Sequence, residues 1–425
     1  MITRFTLLLA ACACVAQIAV GEARASTVPL PAVYTADPQA LADAKHRIEA
    51  DDPQLLPAYR KLLHDADKAL ATRPFSVTEK GVMPPSGDRH DYLSMAPYWW
   101  PDPSKPNGLP YVRNDGRINP STKNNDTDSK RIEDFSDAVG ALGFGYYFSG
   151  DARYAQHAAL LLRTWFLDPA TRMNPNLKYA QAVLGVVDGR GTGIIDTRHF
   201  WQVIDAIGLI TPSDALSAAD LAGLHQWFVD YTQWMLTSQG GHDEADARNN
   251  HGSFFDEQVV DQALFIGDIP LAQKVLKQAL AKRIDVQIGA DGHQPLELER
   301  TRAFHYSTFN LQALFRMAHF GAAAGVDVWN YPDAQRPALR NALEYLTTYV
   351  MKPSAWPYSD IQGIAYADYL PLMLQAERVY GPLPDSVAVE DNLRGRLPAS
   401  PDWLLWPLPA PKPLTAASQS QSLSK

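Results

Sequence analysis

Two short polar clusters contain residue types that can move protons and stabilise anions. The first is the run Arg248-Asn249-Asn250-His251, which stands directly before an apolar stretch. The second follows about fifty residues later and brings together two arginines, a histidine and a tyrosine: Arg300, Arg302, His305 and Tyr306. Imidazole and phenol side chains exchange protons, and guanidinium groups bind anions. Each cluster alone also fits a helix cap beside solvated residues, so neither alone specifies an activity.

A metal site is the competing interpretation of the first cluster. His242, Asp243, Glu244 and Asp246 precede His251 and supply the residue types that ligate metals. The run lacks the His-Glu-x-x-His spacing that places two ligands on one helix face, and a dense group of acidic residues is typical of a solvated loop. The sequence therefore predicts no metal and no other cofactor.

The elements that must position these clusters are helices. Apolar residues recur every three or four positions at Phe135, Val139, Leu142 and Tyr146, and Ser217-x-x-Asp220 has the form of a capping box. Further helical patterns cover about 152–166, 253–265, 270–286, 306–323, 336–351 and 364–379. Strand-like alternation is scarce, so we predict an all-α chain. Periodicity alone does not separate a toroid of helical hairpins from an irregular bundle.

The two clusters and two further segments resemble the alginate lyase superfamily. The further segments are Tyr98-Trp99-Trp100-Pro101-Asp102-Pro103 and residues 165–176 (WFLDPATRMNPN). The resemblance runs in the right order from about residue 90 to residue 380. It implies an (α/α) toroid, an incomplete barrel of antiparallel helical hairpins, which we expect as one domain over 26–397. It also implies a polysaccharide lyase that acts on an anionic uronan such as alginate.

The same resemblance assigns catalytic roles. A lyase removes the proton on C5 of a uronate and must stabilise the adjacent carboxylate as negative charge develops. By resemblance, Asn250, His251 and Arg300 neutralise that carboxylate, and Tyr306 transfers the protons. Some members of the superfamily place the arginine and tyrosine one residue further apart, so Arg302 remains an alternative to Arg300.

We predict substrate contacts from residues around these four. Tyr98, Trp99 and Trp100 belong to a long Pro- and Asn-rich loop at 96–126, and sugar rings stack on aromatic faces. One or two of these aromatic residues could instead anchor the loop in the core. The other expected contacts are Asn249, Arg198, Arg302 and His305.

There are two candidate substrates, and two other functions are alternatives to a lyase. In mannuronate and glucuronate, H5 and O4 lie on the same side of the ring, so one tyrosine serves both, whereas guluronate would need His251 as the base. Mannuronate-rich alginate is the first expectation, and glucuronan is the alternative. An inverting glycoside hydrolase would need two opposed carboxylates, with Asp243, Glu257 or Glu299 as candidates. A non-catalytic uronate-binding protein is the third reading.

The ends of the chain and its charge limit the remaining possibilities. Residues 1–25 have a positive start, an apolar run and Ala23-Arg24-Ala25, the form of a signal peptide, so we expect a periplasmic or secreted protein. A lipoprotein signal at Cys12 is the alternative. No later apolar run is long enough to span a membrane, and a net charge of -9 argues against nucleic-acid binding. We expect residues 398–425, rich in Pro and Ser, to be a disordered tail.

Overall fold

The computed structural model describes residues 30–409, and residues 31–409 belong to one compact unit. Helices predominate among these residues, which confirms the all-α class. The α-helices, in chain order, are α1 (Pro38–Glu49), α2 (Leu56–Leu70), α3 (Ser129–Ser149), α4 (Ala152–Leu162), α5 (Phe200–Ile210), α6 (Ala218–Thr237), α7 (Gln239–Ala245), α8 (Asn250–Phe265), α9 (Ile269–Ala279), α10 (Asp285–Gln287), α11 (Pro295–Leu298), α12 (Ala303–Ala324), α13 (Ala338–Val350), α14 (Tyr366–Tyr380), α15 (Ser386–Arg396) and α16 (Asp402–Leu405).

The helical patterns of the sequence correspond to helices of the structure. The capping box forms as expected, because Ser217 Oγ accepts from the Asp220 N–H at 3.1 Å and Asp220 Oδ2 accepts from the Ser217 N–H at 2.9 Å. The pattern over 270–286 comprises α9, a wider turn at Leu280–Ile284 and α10. The irregular turn was not predictable from periodicity alone.

The helices pack as a ring. Around it, α3, α5, α8, α12, α14, α16 and α2 each pack against the next, and α2 returns to α3. The neighbours α8 and α12 run in the same direction, since Phe254 lies 4.3 Å from Phe309 and, further along both helices, Glu257 contacts Arg316 at 3.2 Å. Because α8 and α12 are parallel, their first turns lie at the same end of the ring.

Small residues allow the ring helices to approach closely. A Cβ atom added at Gly143 of α3 would lie 2.6 Å from the Ala206 Cβ of α5, so no larger residue fits there. Buried apolar side chains of the ring helices and of α4, α6, α9 and α13 join one continuous core. The core thereby fixes the positions of the helix starts that carry both polar clusters.

The strands are short and belong to the connections. The described residues contain β1 (Leu93–Met95), β2 (Trp99–Trp100), β3 (Val112–Arg113) and β4 (Tyr179–Ala182). β1 pairs with β4 in parallel, and β2 pairs with β3 antiparallel with Trp99 opposite Arg113. The β2–β3 hairpin gives the 96–126 loop an ordered base, further held by the Asn119 N–H, which donates to Pro97 O at 2.7 Å.

The predicted tail is wrong for residues 398–409. There α16 closes the ring between α14 and α2, Trp403 is fully buried, and the Trp406 ring stacks on His319 with centroids 4.4 Å apart. The Trp-Leu-Leu-Trp run at 403–406 buries enough apolar surface to order the segment despite its prolines. The signal-peptide prediction for 1–25 and the remainder of the tail, 410–425, lie outside the described residues. No described helix is long and apolar enough to cross a membrane.

Candidate functional site

The four catalytic candidates lie at the start of two neighbouring ring helices. Asn250 and His251 are in the first turn of α8, Tyr306 is in the first turn of α12, and Arg300 precedes α12. The 96–126 loop lies over this end of the ring, because Tyr98 contacts Tyr306 directly. Helix N-termini carry unpaired N–H groups and a positive dipole end, so this end of the ring favours an anionic ligand.

Tyr306 is buried beneath an aromatic and cationic cover. Its side chain is 5% exposed, its hydroxyl lies 2.5 Å from the Tyr98 hydroxyl, and the Arg300 guanidinium carbon is 3.6 Å from its ring centroid. Burial raises the pKa of Tyr306 well above its usual value, Tyr98 raises it further, and the charge of Arg300 opposes both. With Tyr98 in contact, Tyr306 is therefore a protonated phenol.

Arg300 is held by a carboxylate of the loop. Its Nη2 and Nε atoms donate to the two Asp115 oxygens at 2.8 and 3.1 Å, a bidentate pair, and Thr301 Oγ1 contacts the same carboxylate at 3.2 Å. Burial raises the pKa of Asp115, but the arginine contacts outweigh it and leave the pKa below its usual value. The guanidinium is thus fixed over the Tyr306 ring.

His251 and Asn250 are held by two buried glutamates. His251 Nδ1 lies 2.6 Å from Glu244 Oε1, so the ring is fixed and Nε2 is left for another partner. The Asn250 N–H and Nδ2 each donate to Glu297 at 2.7 Å. Burial raises the pKa of Glu297, and the hydrogen bonds from Asn250 oppose that shift. The imidazole and the amide are therefore positioned before any ligand arrives.

The alternative arginine, Arg302, occupies a different environment. It caps the start of α12, its backbone bridges to Asp360, and its buried Nε has no hydrogen-bond partner among the described residues. Arg300 is the guanidinium that stacks on Tyr306. The geometry thus favours Arg300 as the partner of the tyrosine, while Arg302 remains a candidate substrate contact.

Other predicted contacts fall into two groups. His305 Nδ1 contacts Asp368 at 2.6 Å and its ring stacks on Phe309, over which the Arg198 guanidinium also lies at 5.7 Å. This stack adjoins Tyr306, since the Tyr306 and Phe309 centroids are 6.4 Å apart. Arg198 and His305 therefore lie beside the catalytic candidates.

Two further predicted contacts, Asn249 and Trp100, form hydrogen bonds within the protein. Asn249 Oδ1 accepts from the His251 N–H at 3.3 Å and caps α8. The Trp100 indole N–H donates to Arg117 O at 2.9 Å and holds the loop together. Asn249 thus shapes the start of α8, and Trp100 joins two parts of the loop while only partly buried, so its contact does not anchor the loop in the core.

Arg190, absent from the sequence predictions, lies in the same region. Its Nε and Nη2 donate to the backbone and side-chain oxygens of Gln181 at 3.1 and 3.0 Å, and Gln181 in turn donates to Asp196. Gln181 has a φ of 49°, a strained conformation for a residue with a side chain. The network holds the Arg190 guanidinium 5.8 Å from the Trp99 ring centroid. Trp99 and Arg190 thus form a joint aromatic and cationic surface.

Sequence reasoning also missed the carboxylates that hold the site. Asp115 and Glu297 were not singled out, and Glu244 was considered only as a metal ligand. No local pattern marks them, because each reaches its partner through the tertiary fold. Only the seven-residue interval between Glu244 and His251, across the turn from α7 to α8, could have suggested a contact.

The carboxylates of the hydrolase alternative lie in unlike environments. Glu257 is 1% exposed and paired with Arg316, whereas Asp243 and Glu299 are exposed.

The described residues contain no group of three or more His, Cys, Asp or Glu side chains suited to a metal ion. A cavity of about 870 Å³ lies between α2, α3 and α16, and none of the four catalytic candidates lines it.

Comparison with solved structures finds this fold among alginate lyases. An alginate lyase from Bacteroides ovatus shares 39% identity, with 89% of this chain and 100% of that chain covered and a TM-score of 0.84. Alginate lyase A1-III from Sphingomonas species A1 shares the fold at 17% identity, covering 89% and 98% with a TM-score of 0.56. A variant of A1-III complexed with a tetrasaccharide matches at 18% identity, covering 83% and 94% with a TM-score of 0.55.

The toroid fold expected from the sequence is confirmed by these similarities, and the chain is a polysaccharide lyase. The alginate lyase family model matches residues 76–356, which span both polar clusters and the covering loop. The chain belongs to the alginate lyase family. Comparison with curated proteins finds no matching sequence.

Proposed function

We propose that this lyase cleaves a β-1,4-linked uronan, with mannuronate-rich alginate as the preferred substrate, by metal-independent β-elimination. The observation that carries the proposal is the convergence of Arg300, Tyr306 and His251 at one end of the ring. The chain's relatives of known structure are alginate lyases, and one of the same fold is complexed with a tetrasaccharide. The cation that neutralises the uronate carboxylate is supplied by the arginine, so the proposed step needs no metal.

The proposed reaction begins with the carboxylate. Arg300 and His251 face it, and Asn250 adds an amide whose position is fixed by Glu297. Neutralising the carboxylate stabilises the carbanion-like charge that forms when the C5 proton leaves. Because these donors are already fixed by protein partners, little reorganisation is needed during the reaction.

Tyr306 carries out both proton transfers in this scheme. Its phenolate takes the C5 proton, the electron pair forms the C4=C5 double bond, the C4–O bond breaks, and the phenol returns the proton to the leaving oxygen. Tyr98 must leave the Tyr306 hydroxyl for this to occur, since the 2.5 Å contact occupies it and raises its pKa. Arg300 lowers the pKa of Tyr306 and so favours the required phenolate.

The same geometry serves mannuronate and glucuronate, which differ at C2. Guluronate, with H5 on the opposite face, would require His251 Nε2 as the base, and the Glu244 contact leaves that nitrogen free. Glucuronan is therefore the alternative substrate. Trp99 and Arg190 offer a surface for a neighbouring sugar unit, with the ring on the indole and its carboxylate on the guanidinium.

Digestion of polymannuronate, polyguluronate and glucuronan side by side tests this proposal. Elimination creates a double bond that absorbs ultraviolet light, so absorbance should rise most rapidly with polymannuronate. Reducing ends released without absorbance would instead identify a hydrolase. Binding without any turnover would identify a non-catalytic uronate-binding protein.

We also propose that the protein is exported, on the signal-like residues 1–25. Fractionation of producing cells with N-terminal sequencing of the exported protein tests this. A mature chain beginning at Ser26 supports ordinary cleavage, whereas a lipid-modified Cys12 would identify a lipoprotein. Full-length protein retained in the cytoplasm would contradict both.

A further inference from the structure

Two side chains of the 96–126 loop contact the two catalytic candidates near the start of α12, Arg300 and Tyr306. The Tyr98 hydroxyl contacts the Tyr306 hydroxyl at 2.5 Å, and the Asp115 carboxylate receives hydrogen bonds from Arg300 at 2.8 and 3.1 Å. A uronate unit within a chain carries the same two kinds of group, oxygen atoms on its ring carbons and a carboxylate. The loop therefore presents to the site the groups that a bound uronate would present.

The Asp115 contact has the geometry of carboxylate recognition. Two parallel N–H···O bonds join the guanidinium fork to both oxygens, and the side chains of Arg300 and Asp115 are only 15% and 23% exposed. An Arg300 edge that holds one carboxylate in this way cannot bind a second carboxylate at the same atoms. A uronate that uses this edge must replace Asp115.

When the Asp115 carboxylate leaves Arg300, a second cation, Arg113, is available to pair with it. Arg113 Nη2 donates to Asp115 Oδ1 at 2.6 Å, and its side chain is 56% exposed. Because Arg113 belongs to the same loop, the carboxylate keeps an ion-pair partner as it moves away from Arg300. Displacement therefore does not leave a buried charge unpaired, which would otherwise be costly.

The backbone holds Asp115 in this place through a close approach to the start of α12. A Cβ atom at Gly116 would lie 2.3 Å from Thr301 Oγ1, and Gly116 has a φ of 70°, so glycine is required there on both counts. Thr301 Oγ1 also donates to the Asp115 backbone oxygen at 3.2 Å. The contact is thus built into the loop and does not depend on the reach of one side chain.

We propose that Asp115 is a positioning residue that stands in for the substrate carboxylate on Arg300 until a uronan chain displaces it. The inference rests on the proposed function, since it takes Arg300 to be the carboxylate-binding group. In the empty site, Asp115 keeps the guanidinium over Tyr306 and competes with the ligand. A ligand that carries both a carboxylate and ring oxygens displaces Asp115 and Tyr98 together.

Calorimetric binding of a saturated mannuronate tetrasaccharide tests the stand-in role. The His251→Ala background slows turnover and leaves the Asp115 and Tyr98 contacts in place. Adding Asp115→Asn should lower the Kd about fivefold, because the competing state loses its charge-assisted contact. Asp102→Asn is the matched control: Asp102 lies in the same loop, and among the described residues its carboxylate accepts hydrogen bonds only from Ser104. The substitution changes the charge equally and should alter the Kd less than twofold.

A second variant, Thr301→Val, tests whether a lower Kd comes from weaker competition by Asp115 and not from a change in folding. Thr301→Val keeps the size and the charges but removes two contacts to Asp115, so it should also lower the Kd, by a smaller factor. An unchanged or higher Kd in both variants relative to Asp102→Asn would overturn the stand-in role and leave Asp115 as a fixed support of Arg300. Absence of turnover by the wild type on every uronan, with no binding, would instead overturn the proposed function itself.

Discussion

The α8 side and the α12 side of the candidate site are held in place by different parts of the chain. On the α8 side, His251 and Asn250 contact Glu244 and Glu297, which are both 1% exposed and belong to the helical frame. On the α12 side, the partners of Arg300 and Tyr306 come from the 96–126 loop. Contacts with the helical frame do not depend on the position of the loop, whereas under the proposed function the contacts with the loop are exchanged for contacts with the ligand.

This difference separates two tasks that a polymer-cleaving enzyme must combine. The imidazole and the amide need a constant orientation, so buried carboxylates with no access to solvent suit them. The arginine and the tyrosine must meet a ligand that enters and leaves, so partners on a covering loop suit them. Variants that remove the partner groups one at a time should therefore affect turnover, binding and stability differently.

Removing the Tyr306 hydroxyl should have the largest effect. Tyr306→Phe keeps the ring beneath Arg300 but deletes the group that transfers the proton, so kcat on polymannuronate should fall by about 10³-fold or more. Circular dichroism and thermal unfolding should show an intact fold. Turnover within tenfold of the wild type would refute the assigned role.

Tyr98→Phe is the matched loop variant and should behave differently. It removes the hydroxyl that occupies Tyr306 and raises its pKa, so the pKa of Tyr306 falls in the free enzyme. Deprotonation then requires less alkaline conditions, and the rising limb of the kcat/KM profile should move to lower pH. A profile that stays in place would show that Tyr98 does not control the protonation of the tyrosine.

Neutralising Glu244, the buried carboxylate that contacts His251, should have the next largest effect on kcat. Glu244→Gln preserves the shape and an acceptor oxygen but removes the negative charge 2.6 Å from Nδ1, so kcat should fall about 10- to 100-fold with little change in KM. Asp243→Asn, an exposed neighbour on α7 that bonds Gln239, is the control and should leave kcat unchanged. A rise in KM alone would indicate that the histidine only binds substrate.

The proposed subsite at Trp99 and Arg190, which would bind a neighbouring sugar unit, should show the opposite kinetic pattern. Arg190→Ala removes the guanidinium beside Trp99, so KM for the polymer should rise about tenfold, equivalent to one charge-assisted contact, while kcat changes little. Arg336→Ala removes an exposed arginine whose side chain donates only to Ala290 O among the described residues, and it controls for net charge. Equal KM values in the two variants would exclude Arg190 from substrate binding.

The parts of this molecule that could be predicted from sequence are those with a local or recurrent signal. The body of α12, predicted over 306–323, and the capping box at Ser217 follow from periodicity and cap chemistry. The first turn of α12, from Ala303, was not marked by periodicity, and the catalytic candidates follow from resemblance. Glu297 and Asp115 could not be predicted, because their roles depend on contacts 47 and 185 residues away in sequence. The order of 398–409 was missed because proline content outweighed the Trp-Leu-Leu-Trp run in the composition.

Glu257 extends the comparison to a polar pair that neither the loop nor a ligand reaches. It lies between α8 and α12, contacts Arg316 at 3.2 Å, and has one oxygen without a partner among the described residues. Burial raises its pKa to about 7, while Arg316 and Arg198 oppose the shift. Its burial and its pairing with Arg316 are consistent with a contribution to stability.

The pH dependence of unfolding should reveal this buried carboxyl. Its folded pKa of about 7 exceeds the ordinary 4.5, so between these values the native state holds more protons and the free energy of unfolding falls as pH rises. Glu257→Gln should reduce that fall by about 3 kcal/mol in denaturant titrations across the window. Glu344→Gln, which breaks a partly exposed pair with Arg340, should leave it unchanged. A slope retained in Glu257→Gln, or loss of turnover with the fold intact, would show that the interior pair is not purely structural.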